Sequence, residues 1–300
     1  MKLRDLLERG VVAPGVWDAG SALLAKQAGF ECLYQSGYAI EATQIGAPDI
    51  GLMTITEVAS QASRIMAATE LPLVVDIDTG FGGVNNIWRT VRTLEASGAA
   101  AVHLEDQASP KRCASIAAIR RVSREEAVLR VEAAVDARRS REMLIIGRTD
   151  DAGESFGEMV ARANLYLASG ADIVLPVMLR ADGVPLESMS PDEQMAKFAE
   201  LAAEIDGPVC WSNKRIPAGY RAEDLIEAGY SLVILAGEAL EAAVTATSRL
   251  YRTIISEGTP TPYFDEHPSD YRMGHQLASE VLNLASFIER EERYLAPEQQ

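Results

Sequence analysis

Eight apolar runs of strand length recur along the chain, each followed by a stretch with helical spacing, and few folds accommodate that rhythm. The runs lie at residues 11–19, 31–37, 71–78, 99–106, 142–150, 171–177, 207–213 and 231–237. The segments between them are rich in Ala, Leu, Glu and Arg, and several close at a glycine (Gly29, Gly98, Gly170, Gly229) where a helix C-cap is expected. Strands that alternate with helices pair in parallel through right-handed crossovers. An open doubly wound sheet satisfies the same rule, but eight units in about 240 residues fit a closed (β/α)8 TIM-type barrel better. Residues 1–257 are therefore expected to form a catalytic α/β barrel, with residues 258–300 a helical extension for oligomerisation. In that extension 258–270 reads as a Pro-rich turn and 271–295 as one final helix of about six turns. Its apolar stripe (Met273, Leu277, Val281, Leu284, Phe287, Ile288) has no place inside a completed barrel and suits a subunit partner.

In such barrels chemistry sits at the C-terminal ends of the strands. Two neighbouring strands end in acids there: LPLVVDIDTGFGG carries Asp76 and Asp78, and AAAVHLEDQ carries Glu105 and Asp106. A carboxylate is costly to desolvate and rarely ends a buried strand without a partner. Several at one mouth would repel each other, and a divalent cation removes that repulsion. All-oxygen ligation with retained waters is the preference of Mg2+, with Mn2+ the alternative. Capping or salt bridging is the plain structural alternative for these acids. The loop that follows, PKRCAS, places Lys111, Arg112 and Cys113 nearby, and the two cations would lower the thiol pKa of Cys113. A metal, a cationic loop and a thiol read as an enzyme acting on a small anion. Other strand ends carry Ser36 and Gly37, Arg148 and Asp150, and Ser212, Asn213 and Lys214. Arg148 could instead form an internal ion pair with Asp150 or Glu105. His103, among apolar neighbours, reads as a satisfied core histidine or a support one layer behind the site rather than a ligand, and Cys32 and Cys210 read as packing residues.

The charge balance, 28 Lys and Arg against 44 Asp and Glu, gives a formal charge of −16 and argues against nucleic acid or an anionic membrane as partner. An anionic substrate then needs a local positive site. Three distant cysteines with no CxxC pair suggest reduced thiols in a cytoplasmic protein. The start of the chain, MKLRDLLERG, lacks the apolar core of a signal peptide, and no run approaches the ~20 residues of a membrane span.

The D-x-D-x-G-F-G stretch at 76–82, L-E-D-Q at 104–107, K-R-C at 111–113 and R-T-D at 148–150 resemble the isocitrate lyase / phosphoenolpyruvate mutase superfamily in order and spacing. GAPDIGLMTITEV (46–58), with Asp49, looks like its substrate-loop segment. The nearest subgroup is the 2-methylisocitrate lyase-like carbon–carbon lyases. The resemblance implies that Asp78 binds Mg2+ directly and that Asp76 and Glu105 hold its waters. It further implies that Ser36, Gly37 and Arg148 bind an α-keto acid carboxylate, that Tyr34 acts as base and that Cys113 protonates the departing carbanion. Lys111 joins the catalytic loop, and Asp49 and Arg112 the substrate contacts. The barrel would swap its last helices in a homotetramer, a dimer of dimers. The implied reaction is Mg2+-dependent retro-aldol cleavage of a 2-hydroxy di- or tricarboxylate to an α-keto acid and a second carboxylate.

Three departures fall on the side of the second fragment. Ala114 and Ser115 follow K-R-C where the lyases have Gly and His, and Val177 stands where the family usually has Glu. The seventh strand reads PVCWSNKR, the eighth ends in LAGEAL, and 181–193 is longer than usual. Oxaloacetate decarboxylation, C–C hydrolysis, phosphonate-type mutation and non-catalytic keto acid binding remain the alternatives.

Overall fold

The computed structural model describes residues 2–113, 119–153, 155–269 and 277–295. Eight parallel strands close a barrel in the order β1-β10-β9-β6-β5-β4-β3-β2. They are β1 (Val11–Val16), β2 (Leu33–Gln35), β3 (Leu73–Asp76), β4 (Ala101–Glu105), β5 (Leu144–Asp150), β6 (Ile173–Val177), β9 (Val209–Trp211) and β10 (Tyr230–Leu235). Each lies inside or within one residue of an expected apolar run. The helices are α1 (Leu3–Leu7), α2 (Ala19–Gln27), α3 (Gly37–Gln44), α4 (Ile55–Thr69), α5 (Val84–Ser97) and α6 (Arg124–Ala137). Then come α7 (Phe156–Ala168), α8 (Pro191–Ala203), α9 (Ala222–Glu227), α10 (Glu238–Glu257), α11 (Thr261–Glu266) and α12 (Leu284–Tyr294).

Alternation along each strand divides the apolar residues between two layers. Ala13, Val74, Ala101, Ile146, Leu175 and Ile234 fill the barrel interior with Cys32 and Cys210, which are the packing residues they were expected to be. Val75, Val102 and Ile145 point outward onto α4, α5 and α6. The strand register brings the functional ends level at the mouth. Asp76 pairs with His103, Glu105 with Arg148, and Asp150 with Val177.

Two elements depart from expectation. The long segment after β6 folds as a hairpin, β7 (Arg180–Ala181) with β8 (Val184–Pro185), followed by a 3-10 turn at Leu186–Ser188. Its two-residue turn needs left-handed backbone at both positions, and Asp182 (φ 49) and Gly183 (φ 83) supply it. The tail differs from one long helix. The Pro-rich turn contains α11, whose Pro262 sits in the first turn where no N–H is required. Asn283, at φ 52, separates a π-helical turn at Leu277–Val281 from α12. Met273 and residues 270–276 of the expected helix lie outside the described residues. Leu284, Phe287 and Ile288 on α12 are exposed. Among the described residues no helix is long and apolar enough to cross a membrane.

Candidate active site

The mouth over β2, β3, β4 and β5 is a cage of buried polar groups. Asp76, at the end of β3, accepts from the Asp78 amide at 3.0 Å and from the Tyr34 hydroxyl at 3.0 Å. The Tyr34 oxygen is also 2.7 Å from His103 Nε2, with the two rings stacked at 5.4 Å. His103 Nδ1 is buried with no hydrogen-bond partner. A bare lone pair is easier to leave unmatched than an N–H, which favours the proton on Nε2. Tyr34 then receives from His103 and donates to Asp76. His103 is thus a buried support of the site, held against Tyr34. Ser36 caps α3 by accepting from the Ala39 amide. At Gly37 a Cβ would come 2.6 Å from Asp76 Oδ2, so only glycine lets this helix start approach the carboxylate.

Cations hold the cage together. Lys111 Nζ bonds Asp49 and lies 2.6 Å from Asp78 Oδ1. Arg148 forks onto Asp150 through Nε at 2.7 Å and Nη2 at 3.1 Å, and its Nη1 is 3.2 Å from Glu105 Oε2. The ion pairs weighed for Arg148 are both present, and the residue still lines the cavity. Burial pushes the Asp78 carboxyl up to about 7 against the pull of Lys111, with Asp76 adding to the rise. Burial likewise carries Glu105 well above the usual carboxylate range despite Arg148 and Lys111. For Asp76 burial raises the carboxyl, but His103, Lys111 and Arg148 outweigh it and bring it down to about 2. Burial lowers His103 to about 4, so its ring is neutral at pH 7, and burial with the Asp76 charge keeps Tyr34 a phenol.

Sequence reading gave Gln107 no role, and the structure gives it one. Its amide donates to Asp150 at 2.7 Å and to the Arg112 carbonyl at 2.9 Å, while its oxygen accepts from the Arg112 amide at 2.9 Å. The Cys113 amide donates to the Asp49 carbonyl at 3.1 Å. Gln107 and Asp49 together tie the Lys111–Cys113 segment to the barrel. Cys113 is half-buried and lines the mouth, whereas the Arg112 side chain is exposed and outside its lining. Ala114 and Ser115 lie outside the described residues. Two strand-end acids serve structure alone: Asp18 caps α2 through the Ser21 amide, and Asp106 faces outward to Thr149, Tyr166 and Arg162.

A cavity of about 1260 Å³ opens above the cage, with Tyr34, Ser36, Asp49, Asp76, Cys113 and Arg148 on one side. The opposite side is formed by the ends of β6, β9 and β10 and by the hairpin. There Val177, Leu186, Met189 and Ile216 present apolar surface. An ion pair between Glu187 and Lys214, at 3.3 Å, joins the hairpin segment to the loop after β9.

The residues fit a divalent cation with few protein ligands. Both Glu105 oxygens and Asp78 Oδ1 are buried without a hydrogen-bond donor, although cationic nitrogens lie close. Unmatched buried carboxylate oxygens are unfavourable and suit a hard ion or its waters. Among the described residues no three His, Cys, Asp or Glu side chains gather tightly enough to hold an ion by themselves, as expected where waters complete the coordination.

Comparison with known proteins agrees with this geometry. The family model for phosphoenolpyruvate phosphomutase matches residues 3–255. A 2-methylisocitrate lyase of Aeropyrum pernix is 39% identical over 88% of this chain and 82% of its own. The 2,3-dimethylmalate lyase of Eubacterium barkeri is 34% identical over 88% and 89%. The crystal structure of a phosphoenolpyruvate phosphomutase from Streptomyces platensis subsp. rosaceus superposes with a TM-score of 0.84 at 31% identity, covering 98% of both chains.

Proposed function

The chain belongs to the phosphoenolpyruvate phosphomutase family, within the isocitrate lyase / phosphoenolpyruvate mutase superfamily, as a carbon–carbon lyase, and we propose that it splits a 2-hydroxy di- or tricarboxylate by retro-aldol chemistry with Mg2+ as its ion. The observation that carries this reading is the set of unmatched carboxylate oxygens on Asp78 and Glu105 beneath a cavity that has Cys113 on its wall.

In this reading Asp78 is the direct ligand, and Asp76 and Glu105 hold the ion's waters. When bound, Mg2+ polarises the substrate's 2-oxygen and neutralises developing charge, a contribution of several kcal/mol. The protein does the rest. Ser36, the Gly37 backbone and Arg148 hold the substrate's C1 carboxylate. The substrate hydroxyl gives its proton to the Tyr34 oxygen while the phenol proton passes to Asp76, 3.0 Å away, so no free phenolate forms. The C2–C3 bond breaks, C2 becomes the carbonyl carbon of the α-keto acid, and the electron pair stays on C3 beside its carboxylate. Cys113 protonates C3, and its thiolate recovers a proton from solvent. Lys111 and Asp49 keep the thiol-bearing loop over the cage, and Arg112, at the rim, offers a charge to the entering anion.

The test is keto acid release from 2-methylisocitrate, isocitrate, 2,3-dimethylmalate and oxaloacetate, with and without Mg2+. Cleavage of a 2-hydroxy acid only with Mg2+ is expected. Turnover of oxaloacetate alone would replace the lyase with a decarboxylase or hydrolase.

We place the enzyme in the cytoplasm on three cysteines far apart in the sequence with no CxxC pair, and in a homotetramer on the exposed apolar face of α12. Light scattering should give a tetramer for the full chain and a smaller, aggregating species after deletion of 270–300. A full-length monomer at micromolar concentration overturns the assembly.

A further inference from the structure

The half of the mouth over β6, β9 and β10 takes no part in the chemistry above, and its composition is selective. Val177, Leu179, Leu186, Met189 and Ile216 line it, and Val177 and Leu186 are almost wholly buried already. Two of its cations lie beside acids. Arg180 Nε is 3.4 Å from Asp151, and Lys214 is 3.3 Å from Glu187. Arg215, Glu238 and Glu241 line it as well. Among the described residues this wall therefore sets Asp151, Glu187, Glu238 and Glu241 against Arg180, Lys214 and Arg215. A further carboxylate placed here would meet four acids against three cations, a net negative wall. An alkyl group would meet methyl, methylene and thioether surface. Across the cavity, Arg148 is the cation among the lining residues.

Resting on the lyase reading, we propose that the carbon released as the carbanion bears one carboxylate and one alkyl chain, and that the chain lies on Val177, Leu179, Leu186, Met189 and Ile216. The substrate is then a 3-alkyl-2-hydroxybutanedioate rather than a tricarboxylate. Val177 is the main determinant of the choice, because a carboxylate at that position would put a charge against the chain.

The test compares kcat/KM of the full-length enzyme with Mg2+ for 2-hydroxybutanedioates carrying H, methyl, ethyl, isobutyl or carboxymethyl at C3. Isobutyl is the uncharged shape-match of carboxymethyl. An apolar pocket typically discriminates by about 10-fold or more per methylene, so kcat/KM should climb through the alkyl series. The isobutyl compound should exceed the carboxymethyl compound by about 100-fold or more, since the latter adds an unpaired charge. Val177→Glu should lower kcat/KM about 10-fold more for isobutyl than for the unsubstituted compound. Glu187→Gln combined with Glu241→Gln should narrow the isobutyl-to-carboxymethyl gap. Carboxymethyl turned over as well as isobutyl, or better, overturns the proposal. A binding arm needs no turnover: calorimetry of butanoate and 4-methylpentanoate against butanedioate, with Mg2+ and glyoxylate present. If no compound is cleaved yet the alkanoates bind more tightly, the lyase reading fails and the apolar wall stands. Tighter butanedioate sinks the apolar wall whatever the turnover shows.

Discussion

The two sides of the barrel mouth are built from the same strand-to-helix turns and treat charge in opposite ways. Over β3, β4 and β5 the carboxylates are sunk to almost no exposure, and several of their oxygens accept nothing. Over β6, β9 and β10 the Lys214–Glu187 pair stays near solvent, its side chains 51% and 73% exposed. The first side is electrostatically incomplete until a ligand arrives. The second carries acids and cations of its own and offers shape and apolar surface. A site built this way separates the chemistry common to a superfamily from the selection of one substrate within it.

Substitutions on the incomplete side should hurt function far more than fold. Asp78→Ala should take turnover to background and abolish Mg2+ binding by calorimetry, with an unchanged circular dichroism spectrum. Near wild-type, Mg2+-dependent turnover in that variant would erase the contrast between the sides. Cys113→Ser should lower kcat by about 10³-fold with little change in substrate affinity, because a thiol acting on the leaving carbanion stabilises the transition state alone. A full rate in steady-state assays makes the cysteine structural. Gln107→Ala should lower kcat by about 10-fold, since it loosens the loop without touching the reacting atoms; a general-acid rate contribution is typically 10²–10⁴-fold and would be only partly lost. An equal rise in KM and no change in kcat would show that the loop anchor serves binding only.

The smallest effect should come from behind the seam of the two sides, where α7 carries Glu158. Hydrogen bonding from Arg124 lowers this carboxyl to about 2 against a modest burial penalty, with Arg162 helping. The folded pKa is below the ordinary value of 4.5, so the stabilisation is complete above pH 4.5 and disappears as the pH falls towards 2. Glu158→Gln should be slightly less stable than the parent in urea at pH 7, the two converging near pH 2, with kcat unchanged at pH 7. A gap that widens in acid contradicts the assignment.

The barrel was legible because each strand is an apolar run and several follow a helix closed by glycine, a local signal. The cage was legible for a related reason: Asp76, Asp78 and Glu105 break those runs abruptly. What stayed hidden depends on distance or on one backbone angle. The D-G pair of the β7–β8 hairpin is a turn signal, but strands of two residues carry no alternation to frame it. Helical periodicity runs through Asn283 unbroken, although one left-handed residue there stops the helix. Gln107 acts through Asp150 and Arg112, partners that only the closed barrel brings together. Asp18 and Asp106 ended strands as prominently as the cage acids and proved to be a cap and an outward-facing anchor.

The Glu187–Lys214 pair has a kinetic side. Exposed ion pairs of this kind contribute about 0–1 kcal/mol, little more than thermal energy, and salt screens them. The hairpin and the loop after β9 can therefore part and rejoin without disturbing the barrel. Traffic through that side becomes a matter of frequency rather than of force: raising the ionic strength should speed arrival of an uncharged group at the apolar wall while leaving the buried cage, out of reach of the salt, as it was.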